Sequence, residues 1–379
     1  MGGSWQVLRE WPPGYGGVER VAHELAHHWH SLGLPSRVFS LASQALADPL
    51  PVPYARTRLA SLAFGRLLIP LPSRQLWRLL TAPEPLHAHL PCPAVLALAV
   101  LARCWRPRRA ISLHWHSFLE PAATPAGRLF GLYQRLALRC LPLFRWVITT
   151  SPVLAQALVE AGMPAERIQV LPCCLPAAAE RQAALSATAR AAAPGFRLLS
   201  IGRLDSYKRV DWLIEAVAQL RPLPLRLDVV GDGPDRAALE SLAARLAPGQ
   251  VCFHGRVDET AKQQCLQQAD LLVLAANRSN EAFGIVQLEA MAAGLPALAF
   301  RHPRSGMHWV SQLPCLAWAA DRAALAPTIA ALARDPQLHR RACQQARQRY
   351  LHLFAREHWV QNLCHGLPWQ GVDGSGEQR

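Results

Sequence analysis

Several patterns that define common protein classes are missing from this 379-residue chain. Its ten cysteines are scattered and none form a CxxC pair, so we expect reduced thiols and neither a zinc site nor a disulfide framework. The chain has no run of about 18 apolar residues, and we predict no membrane-spanning helix. The N-terminus shows no basic segment followed by an apolar stretch, and we expect no secretory signal. Together these absences predict a cytoplasmic protein.

Two further absences narrow the chemistry. No G-x-G-x-x-G motif follows the first predicted strand, which argues against a dehydrogenase that binds a dinucleotide. No D-x-D motif is present, so a catalytic divalent metal is not indicated. Lysine is nearly missing, with only Lys208 and Lys262 in the whole chain. A lysine that falls in a predicted ligand-binding loop therefore carries more weight than it would in an average chain.

The length and the 51% of hydrophobic residues suffice for two domains with a core each. Predicted strands alternate with predicted helices in both halves, a pattern typical of parallel sheets with helices on both faces. We predict an N-terminal domain at residues 1–185 and a C-terminal domain at residues 186–345. A helix at residues 346–369 would return to the first domain, and residues 370–379 would be a disordered tail. Residues 44–82 fit no clear pattern, and the alanine-rich residues 176–194 are interpreted as the interdomain connection.

Positive charge is concentrated in the N-terminal half. The net charge is +14; residues 1–190 hold 19 basic and nine acidic side chains, whereas residues 191–379 hold 21 and 17. The basic groups interleave with apolar ones in one stretch and form a cluster after it. The stretch contains Arg56, Arg58, Leu59, Leu62, Phe64, Arg66, Leu67, Leu68, Arg74, Trp77 and Arg78, and the cluster contains Arg103, Arg106, Arg108 and Arg109. We expect an anionic membrane surface as partner and no nucleic acid, for which no motif is apparent. The alternative is that arginine richness reflects genome composition.

The most informative segment is residues 280–289, NEAFGIVQLE. Glu281 lies in a loop after a predicted buried strand, and Glu289 lies within the helix predicted to follow. A helix N-terminus offers free N–H groups and partial positive charge to an anion. Glu281 could hold sugar hydroxyls beside such an anion, and Glu289 could reach a ribose. The helix start is formed by Phe283, Gly284, Ile285 and Val286. The alternative is a surface loop glutamate and a solvated helix glutamate.

A basic loop follows another predicted strand, at residues 202–209, GRLDSYKR. A sugar that leaves a nucleoside diphosphate leaves negative charge behind, which a metal or fixed cations must stabilise. After Gly202, Arg203 and Lys208 provide a forked guanidinium and a point charge on one loop. We predict that they neutralise a phosphate. A plain surface loop would also be basic, and that alternative stays open.

In their order along the chain, these segments resemble the retaining, nucleotide-sugar-dependent glycosyltransferases of the GT4 family. The resemblance rests on the two glutamates, on the G-R-L-x-x-x-K loop and on the turn VVGDGP at residues 229–234, which is similar to the family's V-G-x-G-P turn. It covers roughly residues 6–363 and is strongest between residues 200 and 296. It implies the α/β GT-B fold, with two Rossmann-like, doubly wound parallel-sheet domains facing an interdomain cleft. It also implies that Arg203 and Lys208 bind the donor diphosphate, that Gly231 borders the donor, and that Arg256 and Val257 lie near the base.

The N-terminal half carries two further features of this resemblance. Gly16 and Gly17 open the first long predicted helix, where a backbone can approach a phosphate closely, and they resemble the family's G-G-x-E loop. The alternative is a simple loop–helix junction. His116, just after the predicted strand 111–114, resembles the histidine in the His-Ser-Asp segment of polysaccharide- and lipopolysaccharide-assembly members. That histidine lines the catalytic centre near the donor sugar, although a lone histidine is more often structural.

The same subgroup resemblance makes two neighbours of His116 informative. Phe118 stands where those relatives commonly carry Asp, which leaves open how the acceptor is bound. His89 is predicted at the end of an upstream strand, with possible acceptor contact.

We therefore predict a retaining glycosyltransferase that moves a sugar from a UDP- or GDP-sugar to a glycan or lipid-linked acceptor in cell-surface polysaccharide biosynthesis. No cofactor or metal is expected, and the protein would lie peripherally on the inner face of the cytoplasmic membrane. Two alternatives remain. A nucleotide-sugar epimerase on the same fold would need an acid/base set around the sugar. A non-catalytic nucleotide-sugar-binding scaffold would be expected to lack Arg203, Lys208 or Glu281, and all three are present.

Overall fold

The chain folds into two compact α/β units. A computed structural model describes residues 4–12, 16–41, 51–65, 67–120, 124–186 and 195–366. The first unit contains the described residues up to Pro172 together with those from Val360, and the second unit is Cys173–Trp359. The division therefore comes earlier than the predicted boundary after residue 185. Because each unit is built on one parallel sheet with interspersed helices, the predicted fold class is confirmed.

The first unit begins with a strand and, apart from four consecutive strands within residues 37–70, alternates strands and helices to residue 170. Its elements are β1 (Trp5–Leu8), α1 (Gly17–Ser31), β2 (Arg37–Leu41), β3 (Ala55–Leu59), β4 (Ser61–Phe64), β5 (Leu67–Pro70), α2 (Arg74–Thr81), β6 (Leu86–Leu90), α3 (Pro93–Trp105), β7 (Ile111–Trp115), α4 (Pro125–Cys140), β8 (Trp146–Thr149), α5 (Pro152–Glu160) and β9 (Ile168–Val170). Local sequence explains several of the boundaries. Ser73 and Ser151, for example, cap α2 and α5 by accepting hydrogen bonds from the backbone N–H groups of Leu76 and Leu154.

The seven strands of the first sheet are ordered β3-β2-β1-β6-β7-β8-β9 and are all parallel. Chain order reverses between β1 and β6, and such a switch point is where open α/β sheets bind ligands, at the carboxyl ends of their strands. The central strands β1, β6 and β7 are fully buried, although they carry five polar side chains: Gln6, His87, His89, Ser112 and His114.

Part of the segment 44–82, which fitted no pattern in the sequence, forms a small hairpin. Residues 42–50 and Arg66 lie outside the described residues; β3 joins the large sheet, and β4 pairs antiparallel with β5. The cross-strand partners include Leu62 with Ile69 and Phe64 with Leu67, all four of which are exposed. Residues that face each other on such a ladder share a face of the hairpin. One face of this hairpin is therefore apolar and open to solvent.

One arginine of the predicted basic cluster lies elsewhere than expected. Arg109 is buried and donates to the backbone carbonyls of Glu84, at 2.8 Å, and Leu79, at 2.6 Å. Burial lowers the pKa of its guanidinium to about 10. Its assignment to a surface cluster was wrong, because two of its nitrogens donate to carbonyl groups inside the fold.

The second unit is also an alternating α/β structure. Its elements are α6 (Ala177–Ser186), β10 (Phe196–Ile201), α7 (Val210–Gln219), β11 (Leu225–Val230), α8 (Arg236–Leu246), β12 (Val251–Gly255), α9 (Glu259–Gln268), β13 (Leu271–Leu274), α10 (Ile285–Ala292), β14 (Ala297–Ala299), α11 (Met307–Val310), α12 (Leu325–Arg334), α13 (Pro336–Leu353) and α14 (Arg356–Gly366), the last of which extends past Trp359. The five parallel strands are ordered β12-β11-β10-β13-β14, so the switch point lies between β10 and β13.

The interpretation of residues 176–194 as an interdomain connection was wrong for its first part. Ala177–Ser186 is the helix α6, and residues 187–194 lie outside the described residues. The carboxylate of Glu180 accepts hydrogen bonds from Tyr350 Oη, at 2.9 Å, and from the backbone N–H of Arg356, at 3.1 Å. These contacts fix α6 to the C-terminal helices of the second unit. The predicted tail 370–379 is outside the described residues.

Candidate functional site

Two predicted site loops meet at the switch point of the second sheet. The loop with Arg203 and Lys208 follows β10, and the loop with Glu281 follows the adjacent strand β13. The backbone N–H of Asn277 donates to the carbonyl of Tyr207 at 3.0 Å and joins the two loops directly. The strand order thus brings together residues that are more than 70 positions apart in the sequence.

Lys208 and Glu281 form an ion pair in this loop cluster. Their side chains are only 12% and 17% exposed, and Lys208 Nζ donates to Glu281 Oε2. Burial alone would lower the pKa of Lys208, but the Glu281 carboxylate, with Tyr207 and Asp205, raises it. Lys208 is therefore a fixed cation in a partly dehydrated position, where charge interactions are stronger than in bulk water. Ser305 Oγ donates to the backbone carbonyl of Glu281 and holds the carboxylate-bearing loop in place.

Arg203 is arranged differently from Lys208. Its side chain is 70% exposed, and its only ion pair among the described residues is with Asp205, Nε to Oδ2 at 3.5 Å. An exposed pair of this kind contributes little stability. The guanidinium can therefore turn toward an anionic ligand at small energetic cost.

The loop after β10 lies directly against the turn after β11. Gly202 N–H donates to Val230 O at 2.9 Å, and Leu204 N–H donates to Asp232 O at 3.0 Å. The turn continues to the next strand through Gly231 N–H, which donates to Gly255 O at 2.8 Å. Three consecutive strand ends are therefore joined by their backbones, which positions the predicted phosphate loop.

The helix α10 begins at Ile285, as predicted, and Glu289 lies inside it. Its N-cap, Gly284, has φ +75°, and a Cβ at this position would lie 2.5 Å from Leu274 Cδ2. A side chain there would have to displace Leu274, and the left-handed φ also favours glycine. As in any α-helix, the first N–H groups, including those of Ile285 and Val286, have no partner within the helix. Phe283 is buried and packs edge-on against Phe354, with ring centroids 6.0 Å apart.

Glu289 has a partner that the sequence did not reveal. Lys262 Nζ, on α9, lies 3.0 Å from Glu289 Oε1 and 2.9 Å from Glu259 Oε1. Glu289 is buried, and the Lys262 side chain is 12% exposed. Each of the only two lysines in the chain thus pairs with one of the two signature glutamates. The scarcity of lysine in the sequence was the signal that could have identified Lys262 as a site residue.

The two residues predicted near the base follow β12. Arg256 is exposed, and Val257 is half-buried and packs against the core of the second unit formed by residues that include Leu272 and Ala290. Their assignment to a base contact stays a prediction.

In the first unit, Gly16 and Gly17 lie at the switch point of its sheet. Gly16 is the N-cap of α1, and Gly17 is its first residue; residues 13–15 lie outside the described part. The Glu19 carboxylate lies close against Gly16. Burial raises the pKa of Glu19 above its ordinary value. The junction therefore places an acidic side chain beside the glycines.

His116 belongs to a buried cluster of four imidazoles. It follows β7, and its ring stacks on that of His114 with centroids 3.9 Å apart. Its Nε2 lies 2.9 Å from His89 Nδ1, and His89 Nε2 lies 2.8 Å from Gln6 Oε1. Burial, and then repulsion from neighbouring imidazoles, holds the pKa values of His89, His114 and His116 well below the ordinary value. These rings are therefore neutral near pH 7.

Phe118, which stands where the resemblance leads us to expect Asp, is a core residue. It is 1% exposed and packs on Trp115 with ring centroids 5.3 Å apart. Its side chain is therefore buried apolar surface and offers no polar group to an acceptor.

Two side-chain groups in the described residues are of metal-ligating type, and the sequence predicted neither. They are His87, His89 and His114, and Asp228, Cys252 and His254, with ligand atoms within 4.8 Å of one another in each group. In the histidine group, one hydrogen bond joins His87 Nδ1 to Ser112 Oγ at 2.8 Å, and another joins His87 Nε2 to His114 Nδ1 at 3.3 Å. In the second group, His254 Nε2 lies 2.7 Å from Asp228 Oδ1. A metal would have to replace these bonds, and the predicted metal independence stays a prediction.

Comparison with known proteins identifies the family. The model of glycosyltransferase family 4 matches residues 15–178, and the model of glycosyl transferases group 1 matches residues 188–349. The chain belongs to these glycosyltransferases. Together the two matches cover most of both α/β units.

Similar proteins agree with this assignment. N-acetyl-alpha-D-glucosaminyl L-malate synthase of Bacillus anthracis is 30% identical over 42% of this chain and 42% of its own length, so the chain spans about two fifths of that relative. O-antigen chain mannosyltransferase C of Escherichia coli is 23% identical over 92% of this chain and 93% of its own. The crystal structure of Anabaena Alr3699/HepE in complex with UDP has a TM-score of 0.73 and 19% identity, and covers 96% of this chain and 98% of that one. The structural likeness shows the GT-B fold.

Proposed function

We propose that this glycosyltransferase transfers a sugar, with retention of configuration, from a UDP- or GDP-sugar to a glycan or lipid-linked acceptor in cell-surface polysaccharide assembly. The observation that carries the proposal is the Lys208–Glu281 pair at the switch point of the second sheet. A lysine cation suits a diphosphate, and the carboxylate beside it suits sugar hydroxyls. The relative named as an O-antigen mannosyltransferase and the neighbour that holds UDP support the proposed acceptor and donor classes.

In this proposal, fixed cations take the place of a divalent metal. Arg203, Lys208 and the N-terminus of α10 stabilise the diphosphate as its bond to the anomeric carbon breaks. Glu281 orients the sugar through its hydroxyls, and Glu289, which Lys262 holds in position, contacts the ribose.

The acceptor completes the reaction from the same face. Its hydroxyl oxygen bonds to the anomeric carbon, and its proton passes to the departing phosphate oxygen. The family resemblance implies that His116 contacts the donor sugar and that Gly16 and Gly17 border the phosphate, and these roles are part of the proposal. Gly202 and Gly231 shape the phosphate loop through the backbone contacts described above.

We expect one nucleoside diphosphate to raise the melting temperature of the protein without added metal. A ligand that binds only the folded state stabilises it by about 2.7 kcal/mol at 100 times its Kd. The measurement is a thermal-shift panel of UDP, GDP, ADP and their sugar conjugates, with and without magnesium. UMP and GMP are the controls, because they lack the second phosphate that Lys208 would bind. A panel without any shift would contradict the donor site, and a shift that required magnesium would contradict the metal-free mechanism.

We further propose that the first unit docks on an anionic membrane surface, on the inner face of the cytoplasmic membrane. The apolar hairpin face presents Leu62, Phe64, Leu67 and Ile69 to solvent, and Phe64 is 67% exposed. Elsewhere in this unit, exposed Trp77 and Trp105 pack edge-on with ring centroids 4.6 Å apart. Exposed or half-buried arginines lie in α2, in α3 and in the loop after α3. They are Arg74, Arg78, Arg103, Arg106 and Arg108. Apolar side chains with arginines nearby fit the headgroup layer of an anionic bilayer. In the described residues, no helix has both the length and the apolar character needed to cross a bilayer.

Replacing Phe64 and Leu67 together by serine is expected to weaken binding to anionic liposomes by tenfold or more. Moving a fully exposed apolar side chain out of water contributes about 1.5–3 kcal/mol to the free energy of binding. Phe64 and Leu67 contribute less than this each, because the protein already buries part of their surface. The measurement is co-sedimentation with phosphatidylglycerol vesicles at low and high salt. Leu185→Ser, in α6 of the second unit, is the matched control, because Leu185 is 73% exposed. Equal binding by both variants would contradict the hairpin assignment.

A further inference from the structure

Three buried polar side chains form one hydrogen-bonded chain in the first unit. Gln6 lies on β1, His89 on the adjacent strand β6, and His116 just after β7. Gln6 Nε2 donates to the Ala22 carbonyl at 3.0 Å, His89 Nε2 lies 2.8 Å from Gln6 Oε1, and His116 Nε2 lies 2.9 Å from His89 Nδ1. The chain therefore runs from the backbone of α1 to His116.

The direction of every bond in this chain follows from its first member. The Ala22 carbonyl can only accept, so the amide nitrogen of Gln6 must face it and the amide oxygen must face His89. An amide oxygen accepts, so His89 carries its proton on Nε2. His89 is neutral because burial lowers its pKa well below the ordinary value, and its Nδ1 is therefore an acceptor. That acceptor requires His116 to carry its proton on Nε2.

His116 is consequently left with a bare lone pair on Nδ1. Its own pKa is lowered by burial, so the ring is neutral and Nδ1 is unprotonated. No hydrogen bond to this nitrogen is found among the described residues, although the backbone N–H of His116 donates to Leu90 O at 3.0 Å. The stack on His114, with planes 8° apart, fixes the orientation of the ring.

We propose that Gln6 and His89 are positioning residues that hold His116 as the Nε2–H tautomer, so that Nδ1 accepts a hydrogen bond from a sugar hydroxyl. The use of Nδ1 by a sugar rests on the proposed function, whereas the tautomer rests on the hydrogen-bonded chain alone. His116 thus acts toward the sugar as an acceptor and not as a donor. The other tautomer would carry the proton on Nδ1, so the sugar hydroxyl would have to accept from it and the direction of the bond would reverse.

A second branch of the same cluster provides an internal comparison. His87 Nδ1 lies 2.8 Å from Ser112 Oγ, and His87 Nε2 lies 3.3 Å from His114 Nδ1. This branch ends at His114 Nε2, which is buried and has no hydrogen-bond partner in the described residues. It shares the burial of the first branch but makes no hydrogen bond to His116.

The test is side-chain ¹⁵N NMR of histidine-labelled protein without nucleotide, with the His116 signals assigned by their loss in His116→Gln. We expect wild type to show His116 protonated at Nε2 and bare at Nδ1. Gln6→Met removes the amide at similar volume, and we expect the Nδ1–H tautomer of His116 to appear.

With the nucleotide sugar that wild type hydrolyses or transfers, kcat of this variant should fall roughly 10- to 100-fold. KM should change by about twofold or less, because the donor diphosphate contacts are intact. Ser112→Ala, on the second branch, should leave both the tautomer and kcat unchanged.

The outcomes separate this proposal from the proposed function. Wild-type His116 protonated at Nδ1, in a protein that binds nucleotide and turns over its sugar, would overturn the tautomer assignment alone. Wild type with the expected tautomer but no nucleotide binding would overturn the proposed function and the use of Nδ1 by a sugar. If Gln6→Met kept both the wild-type tautomer and the wild-type kcat, Gln6 would have no positioning role. If Ser112→Ala reproduced the losses of Gln6→Met, the effect would be general loosening of the cluster.

Discussion

Lys208→Ala is expected to lower the turnover of the nucleotide sugar by roughly 10²- to 10³-fold, the loss typical of removing one preorganised group that stabilises transition-state charge. Lys208 is the cation of the loop after β10 that is 12% exposed, and Arg203, which is 70% exposed, is too exposed to replace it. KM should rise less than kcat falls, because the charge on the departing phosphate grows as the bond breaks. The measurement is steady-state release of the nucleoside diphosphate at saturating sugar donor.

Stability must be separated from chemistry in this experiment, because Lys208→Ala leaves the Glu281 carboxylate without its cation. Loss of one partner of a buried pair costs about 3–5 kcal/mol, and less for a pair that is partly exposed, as this one is. The double variant Lys208→Ala, Glu281→Gln removes both charges, and we expect it to regain much of the lost melting temperature. It should nevertheless remain inactive, because the phosphate cation is still missing. Near-normal turnover in folded Lys208→Ala would refute the phosphate role of Lys208.

The sequence predicted the second unit well because its signals are local. The strand at residues 271–274 is a short apolar run, and α10 has helical spacing followed by Gly294 and Pro296. The sequence also predicted that Lys208 and Glu281 follow strands of one parallel sheet. It did not predict their ion pair, which depends on β10 and β13 being neighbours in that sheet. In α6, the alanines were the available signal for a helix, because alanine has the highest helix propensity; the flanking prolines led to the interpretation as a connection.

The parts that the sequence did not predict depend on register and on packing between elements. His89 lies beside His114 only because β6 and β7 pair in that register, and a shift of one residue would turn the rings to opposite faces. Lys262 reaches Glu289 from a different helix, and no sequence spacing encodes that contact. The hairpin β4–β5 was missed because its strands have only four residues each and lack strict alternation of polar and apolar residues.

Gly231 is the position in the second unit where we expect one added methyl group to lower stability most. Its φ is +131°, and a Cβ there would lie 1.9 Å from the carbonyl oxygen of Gly202. That oxygen belongs to backbone and cannot rotate away, because Gly202 N–H is itself bonded to Val230 O at 2.9 Å. Alanine at this position must therefore push the loop that carries Arg203 and Lys208 away from the turn after β11.

Gly231→Ala is accordingly expected to destabilise the second unit by about 3–5 kcal/mol, from left-handed strain and overpacking together. Its melting temperature should fall by roughly 10 °C, and the thermal shift produced by the nucleoside diphosphate should disappear even where the protein is still folded. Gly249→Ala is the matched control: Gly249 has φ +75° but no heavy atom within 4 Å of an added Cβ, so it has the backbone strain without the collision. It should cost only about 1–2 kcal/mol and keep the nucleotide shift. If the two variants lost equal stability and both retained nucleotide binding, the contact between Gly231 and Gly202 would not be what positions the phosphate loop.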